Sequence, residues 1–219
     1  MTTVLCYGDS LTWGTNPDDG GNRHAFGDRW PSVLRAGLGA DVEVVAEGMG
    51  GRTTAYDDHT GDCDRNGARL LTSVMHSHRP VALVILMLGT NDLKPFIAGS
   101  AAAAAIGIRR CIEIVRHHAP RLPVYVEPKV LLVSPPCLVP TPNAFITEMM
   151  GSDAVAQSHR FSSLLAAEAD MATCAFFDAA KVAKASPIDG IHLDAANTRA
   201  IGAALVPIVR DLLAKGNGA

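Results

Sequence analysis

The sequence has no long apolar run, no surplus of positive charge, few aromatic residues and no paired-cysteine motif, and these shortages remove several classes of function. Its longest apolar stretch, Val81 to Leu88, is eight residues, far below the roughly 20 needed to cross a bilayer, so no membrane span is expected. A net charge of -3 provides no basic field to gather phosphates, which argues against a nucleic-acid partner. The five cysteines (Cys6, Cys63, Cys111, Cys137 and Cys174) are scattered, with no C-x-x-C spacing for zinc or redox work, and read as reduced packing residues. There is also no internal repeat and no Gly/Ser linker, so residues 1-219 are read as a single domain. At the N-terminus a strand-like run, Val4 to Tyr7, begins almost at once and leaves no room for a secretory signal. The expected location is cytoplasmic.

A composition of 48% hydrophobic against 19% charged residues is that of an ordinary globular chain able to bury a core. Aliphatic runs recur at Val4 to Tyr7, Val42 to Ala46, Val81 to Leu88, Val130 to Val133 and Ala175 to Phe177. Helix-forming segments separate them at Trp30 to Leu38, Asn66 to His78, Ala101 to His118, Ser152 to Ala169 and Asp194 to Leu213. This β/α alternation predicts an α/β fold, and the run from Val81 to Leu88, apolar at every position, predicts the central strand, covered on both faces. Ser100 and Asp194 are expected N-caps, and Pro207 predicts a kink or break in the last helix. Gly14 to Asp28 and Pro135 to Gly151 do not fit the alternation and read as long loops or partial lids, candidates for shaping a pocket or a subunit contact.

Four short motifs follow the strand-like runs. Gly8-Asp9-Ser10-Leu11 places a serine beyond the end of the first strand, where ligands of parallel sheets bind. Asp189-Gly190-Ile191-His192 offers a base for that serine and a carboxylate to orient the base. Gly48-Met49-Gly50-Gly51-Arg52 and Gly89-Thr90-Asn91-Asp92 offer donors for a developing oxyanion: the Gly51 N–H and the Asn91 amide, with the Ser10 N–H as a third. Thr53 stands where a dinucleotide loop would need its third glycine, so that reading fails. Each motif alone is also what a helix cap or a tight turn requires. Their joint occurrence on one sheet edge argues for one site.

With these residues in place the chain resembles the GDSL or SGNH hydrolase family, whose four named residue types are matched in order by Ser10, Gly51, Asn91 and His192. Thr12-Trp13-Gly14, Arg52-Thr53-Thr54, Met87-Leu88 and Ser134-Pro135-Pro136 are most similar to its bacterial arylesterase and acyltransferase subgroup. The resemblance implies a flavodoxin-like three-layer α/β/α sandwich with a central five-stranded parallel sheet, and a Ser10-His192-Asp189 triad with no cofactor and no metal. It further implies a small ester substrate, with water or an alcohol as acyl acceptor. Gly50-Gly51 departs from the pattern, since relatives often carry another small residue beside the donor, and this predicts a less preorganised Gly51.

Other enzyme readings on the same chemistry are a carbohydrate deacetylase, a lysophospholipase or a thioesterase; a non-catalytic sugar- or lipid-binding module is the alternative of a different class. His76, His78, His117 and His118 lack flanking carboxylates or cysteines that would complete a metal site and read as helix surface. Trp13 and Trp30 are candidates for pocket wall or core. Arg52 is expected to pair with Asp57 or Asp58. Apolar residues in the Pro135 to Gly151 segment, together with the resemblance, predict a homo-oligomer.

Overall fold

The computed structural model of the protein describes residues 2–118 and 127–215. The aliphatic runs form five strands, β1 (Thr2–Gly8), β2 (Val42–Gly48), β3 (Val81–Met87), β4 (Lys129–Ser134) and β5 (Ala175–Asp178). The helices are α1 (Ser10–Trp13), α2 (Trp30–Leu38), α3 (Gly67–Ser77), α4 (Ala101–His117), α5 (Ala144–Met150), α6 (Ala154–Ser158), α7 (Phe161–Met171) and α8 (Ala195–Ala214). All strand pairings are parallel, in the order β2-β1-β3-β4-β5. This is the flavodoxin-like order, and β3 is central as its composition predicts. Every strand therefore ends at the same edge of the sheet.

The two-residue period of a strand divides the core into two layers. Val4, Cys6, Leu83, Ile85, Leu131 and Val133 face α2 and α8, meeting Trp30, Leu34, Ile201, Leu205 and Val209. Leu5, Tyr7, Val84, Leu86, Val130 and Leu132 face α3, α4 and α7, meeting Leu71, Met75, Ile108, Ile112, Phe161 and Leu165. In α4 the buried positions Ala101, Ala104, Ala105, Ile108, Cys111, Ile112 and Val115 trace one helical stripe. Its first turn is capped by Ser100, whose Oγ accepts the Ala103 N–H at 3.2 Å. Asp194 caps α8 in the same way, accepting the Asn197 N–H at 2.8 Å. All five cysteines are free thiols, with Cys6 and Cys111 in the core. Among the described residues, no helix is long and apolar enough to cross a membrane.

Three elements differ from the sequence expectation. Inside the Pro135 to Gly151 segment, α5 forms once the prolines are past, because Asn143 caps it by accepting the Ile146 N–H at 3.2 Å. The stretch Ser152 to Ala169 divides into α6 and α7. Ser158, fully buried, donates its hydroxyl to Val155 O (2.7 Å) and accepts the Leu138 N–H (3.0 Å), and this local bonding competes with helix continuation. Finally, α8 runs unbroken through Pro207. Pro207 and Ala203, whose carbonyl loses its partner, are both on the exposed side, so the missing bond falls on the solvent side of the helix while Leu205 and Val209 hold the helix on the sheet. Pro207→Ala is accordingly expected to raise the unfolding free energy by about 1 to 3 kcal/mol, read from urea or thermal unfolding. A less stable variant would contradict this account of the helix.

Candidate active site

The edge formed by the strand ends carries Ser10. Directly after β1, Asp9 caps α1 by accepting the Leu11 N–H on Oδ1 at 2.9 Å. The residue is thus a helix cap, as its type alone would suggest, and the cap is what presents Ser10. Gly48, paired with Gly8 in register, lies so close under α1 that a Cβ there would stand 2.1 Å from the Trp13 nitrogen. Only glycine lets the short helix cross the end of β2.

His192 arrives at the same edge from the turn before α8. Its Nε2 lies 2.9 Å from Ser10 Oγ, and its Nδ1 lies 2.6 Å from Asp189 Oδ2. With a carboxylate at Nδ1, the proton sits there, and Nε2 is left to accept from the serine hydroxyl. Asp189 Oδ1 accepts the N–H groups of Ile191 and His192, both at 2.9 Å. Burial pushes the Asp189 carboxyl upward, but the His192 ring and these two N–H donors outweigh it, so the group titrates below the ordinary carboxylate range.

The turn itself is held from both sides. Gly190 O accepts the Val139 N–H at 3.0 Å, and the Ser186 N–H donates to His192 O at 2.7 Å. Buried His24, in the loop between Gly14 and Asp28, donates from Nε2 to Leu193 O at 2.8 Å. Sequence reasoning did not single out His24; a lone histidine in a Gly- and Asp-rich loop carries no spacing signal. The Pro135 to Gly151 segment contributes Leu138, Val139, Ile146 and Met150 to a cavity of about 320 Å³ that is also walled by Asp189 and Ile191.

Met49 to Arg52 form a β-turn closed by the Arg52 N–H donating to Met49 O at 3.1 Å. Gly51 has φ +77°, as the third position of a type II turn requires. A Cβ at 51 would also stand 2.8 Å from the Arg65 side chain, whereas one at 50 meets nothing within 4 Å. Glycine is therefore required at 51 by its backbone and by the Arg65 side chain, and at 50 by neither. Asn91, in the 3₁₀ turn Thr90–Leu93 after β3, donates from Nδ2 to Arg52 O at 3.2 Å and lies 3.5 Å from Asp9 Oδ2. Among the described residues, the N–H groups of Ser10 and Gly51 donate to no protein acceptor. The structure thus brings Ser10, His192 and Asp189 into one hydrogen-bonded chain, and Asn91 touches the neighbours of both Ser10 and Gly51.

Arg52 does not pair with Asp57 or Asp58. Those carboxylates take Arg69 (2.5 Å) and Arg65 (2.9 Å), while the Arg52 guanidinium, 3% exposed, turns inward beneath the turn. Trp30 is wholly buried in the core; Trp13 is half-buried under the Arg23 guanidinium, 5.0 Å from its ring centre. Of the surface histidines, His78 meets Glu47 at 3.0 Å and His117 donates to Glu113 O at 2.7 Å. Among the described residues, no three His, Cys, Asp or Glu side chains are grouped to hold a metal ion.

Two carboxyls next to the site are pushed upward, each chiefly by burial. Asp9 reaches about 6, opposed by the Leu11 N–H and by the charges of His192, Arg52 and Lys94. Asp92 reaches about 7, despite accepting the Thr54 N–H (3.1 Å) and hydroxyl (2.5 Å), with the Asp9 charge adding to the rise. From about pH 4, the ordinary carboxylate value, up to these raised values, the folded chain holds protons that the unfolded chain has released. Stability from these two groups consequently falls as pH rises through that window. Asp92→Asn, which keeps an acceptor for Thr54 without a charge, should flatten the decline in urea-unfolding free energy between pH 5 and 8. An unchanged slope would contradict the assignment.

GDSL-like lipases/acylhydrolases match residues 6–200 as a family. Among solved structures, a carbohydrate acetylesterase family member from Sinorhizobium meliloti is 52% identical, with 98% of this chain and 100% of that chain covered and a TM-score of 0.95. An aryl esterase from M. smegmatis is 39% identical, with coverage of 97% and 100% and a TM-score of 0.91. A second carbohydrate acetylesterase from S. meliloti is 36% identical, with the same coverage and a TM-score of 0.91. No curated protein matches the chain. The fold, the family match over most of the chain and these neighbours together place it: the chain belongs to the GDSL-like lipase/acylhydrolase family and is a serine ester hydrolase.

Proposed function

We propose that this chain, acting as one domain, hydrolyses small short-chain acyl or aryl esters through an acyl-Ser10 intermediate. The observation that carries the proposal is the continuous hydrogen-bonded chain from Ser10 Oγ through His192 to Asp189, with spacings of 2.9 and 2.6 Å. Ser10 Oγ attacks the ester carbonyl while His192 Nε2 takes its proton, and Asp189 stabilises the resulting imidazolium. The carbonyl oxygen becomes an oxyanion, bound by the N–H groups of Ser10 and Gly51 and the amide of Asn91. As the carbon–oxygen bond to the leaving group breaks, His192 returns the proton to the departing alkoxide. Water, or an alcohol, then attacks the acyl-serine with His192 again as base, releasing the acid or a new ester and restoring Ser10.

The cavity of mostly aliphatic lining touches Asp189 but not Ser10 or His192, so the small-ester reading rests on the triad and not on this cavity. A second reading, a carbohydrate deacetylase on the same chemistry, is favoured by the two acetylesterase neighbours from S. meliloti. Comparing kcat/KM for phenyl acetate and for acetylated sugars distinguishes the two.

Three variants test the roles with p-nitrophenyl acetate. Ser10→Ala should lower kcat by about 10⁴-fold or more with the fold intact by circular dichroism; retained turnover would end the assignment. Asp189→Asn should cost about 10⁴-fold in kcat with KM little changed, because the wrong histidine tautomer is favoured. Asn91→Ala should cost about 10² to 10³-fold in kcat, and a loss confined to KM would place Asn91 outside the oxyanion site.

A further inference from the structure

Arg52 is nearly fully buried, and no step of the reaction above uses its side chain. One guanidinium nitrogen, Nη1, donates to Gly8 O at 2.7 Å and also to Glu47 O. The guanidinium carbon lies 4.1 Å from the centre of the Tyr7 ring, so the charge is set against an aromatic face in place of water. Gly8, Glu47 and Tyr7 lie at the carboxyl ends of β1 and β2. The Gly8 carbonyl also accepts the Met49 N–H at 3.1 Å. Both ends of the turn that presents Gly51 are thus suspended from one carbonyl, two residues before the Ser10 N–H. Through its own backbone, Arg52 closes the turn by donating to Met49 O at 3.1 Å and accepts the Asn91 amide at 3.2 Å.

Resting on the proposed roles of Ser10, Gly51 and Asn91, we infer that Arg52 is a positioning residue that sets the mutual geometry of the three oxyanion donors. It meets the strand that leads to Ser10 through its side chain, the turn of Gly51 through its N–H, and Asn91 through its carbonyl. The guanidinium suits this task because Nη1 reaches both carbonyls while the delocalised, weakly hydrated cation stays against the Tyr7 ring; a lysine ammonium could donate to the carbonyls, but its compact and strongly hydrated charge is a poorer match to that buried aromatic face. Oxyanion donors act only when fixed before charge develops. Loosening their frame therefore weakens transition-state binding more than ground-state binding.

The test uses the full chain with Arg52→Lys and Arg52→Met, beside wild type and Ser10→Ala. Steady-state kinetics with p-nitrophenyl acetate are paired with inhibition by phenylboronic acid, whose tetrahedral adduct on the serine places an oxygen among the donors. For Arg52→Lys, kcat should fall about 10- to 100-fold with KM within about twofold, and the boronate Ki should rise by the same factor as kcat falls. Arg52→Met, if folded, should show a larger change along the same line. The inference is overturned by a kcat within twofold of wild type in Arg52→Lys, by a loss confined to KM, or by a kcat loss without weaker boronate binding. Unfolding of Arg52→Lys at the assay temperature also overturns it, since the residue would then serve the fold. Turnover retained by Ser10→Ala marks failure of the underlying site instead.

Discussion

The hydrogen bond between Ser10 and His192 joins residues 182 positions apart, and most of the architecture is needed to make it. It forms only because β1 ends at the same sheet edge to which the segment before α8 returns. On the serine side, the approach depends on Asp9 as cap and on the absence of a side chain at Gly48. On the histidine side, Asp189 grips the backbone of its own turn, and Val139 and His24 tie that turn to two long loops. Those loops are thus tied by hydrogen bonds to the backbone that carries the proposed base and its carboxylate.

Beside this polar chain the sheet edge buries several charged side chains. Asp9, Arg52, Asp92 and Lys94 are all less than a tenth exposed, and each loses hydration on folding. The losses are offset locally: Arg52 by two carbonyls and the Tyr7 ring, Asp92 by Thr54, Asp9 by the Leu11 N–H. The raised titration of Asp9 and Asp92 indicates that the offset is incomplete. Stability is given up at the edge where fixed dipoles matter to the chemistry, while the aliphatic layers on either side of the sheet supply the folding free energy.

Much of this was legible in the sequence because it obeys local rules. An α/β fold with a parallel sheet follows from β/α alternation, centrality from the unbroken apolar run at Val81, and capping from Ser100 and Asp194; the order of the strands was implied only by the family resemblance. The motif residues were legible because each follows a strand, and a parallel sheet gathers strand ends. What escaped depended on contacts between distant segments. Pro207 looks like a helix breaker until its exposed position and the packing of Leu205 and Val209 are known. Ser158 interrupts a helical stretch through a bond to Leu138, twenty residues away. Arg52 looked like a partner for nearby acids, but its target is a pair of strand-end carbonyls. His24 acts on a carbonyl 169 residues away. Local pattern points to the residues proposed to carry the chemistry, and tertiary contact determines which residues hold them in place.

The central claim is that Ser10 is made nucleophilic by His192 and is the residue that becomes acylated. The most direct measurement is covalent labelling of the full chain with a fluorophosphonate, with the modified peptide located by mass spectrometry. The expected result is a single adduct on the peptide containing Ser10, formed much more slowly when His192 is replaced by alanine. An adduct on another residue, or no adduct on a protein that still hydrolyses p-nitrophenyl acetate, would contradict the account.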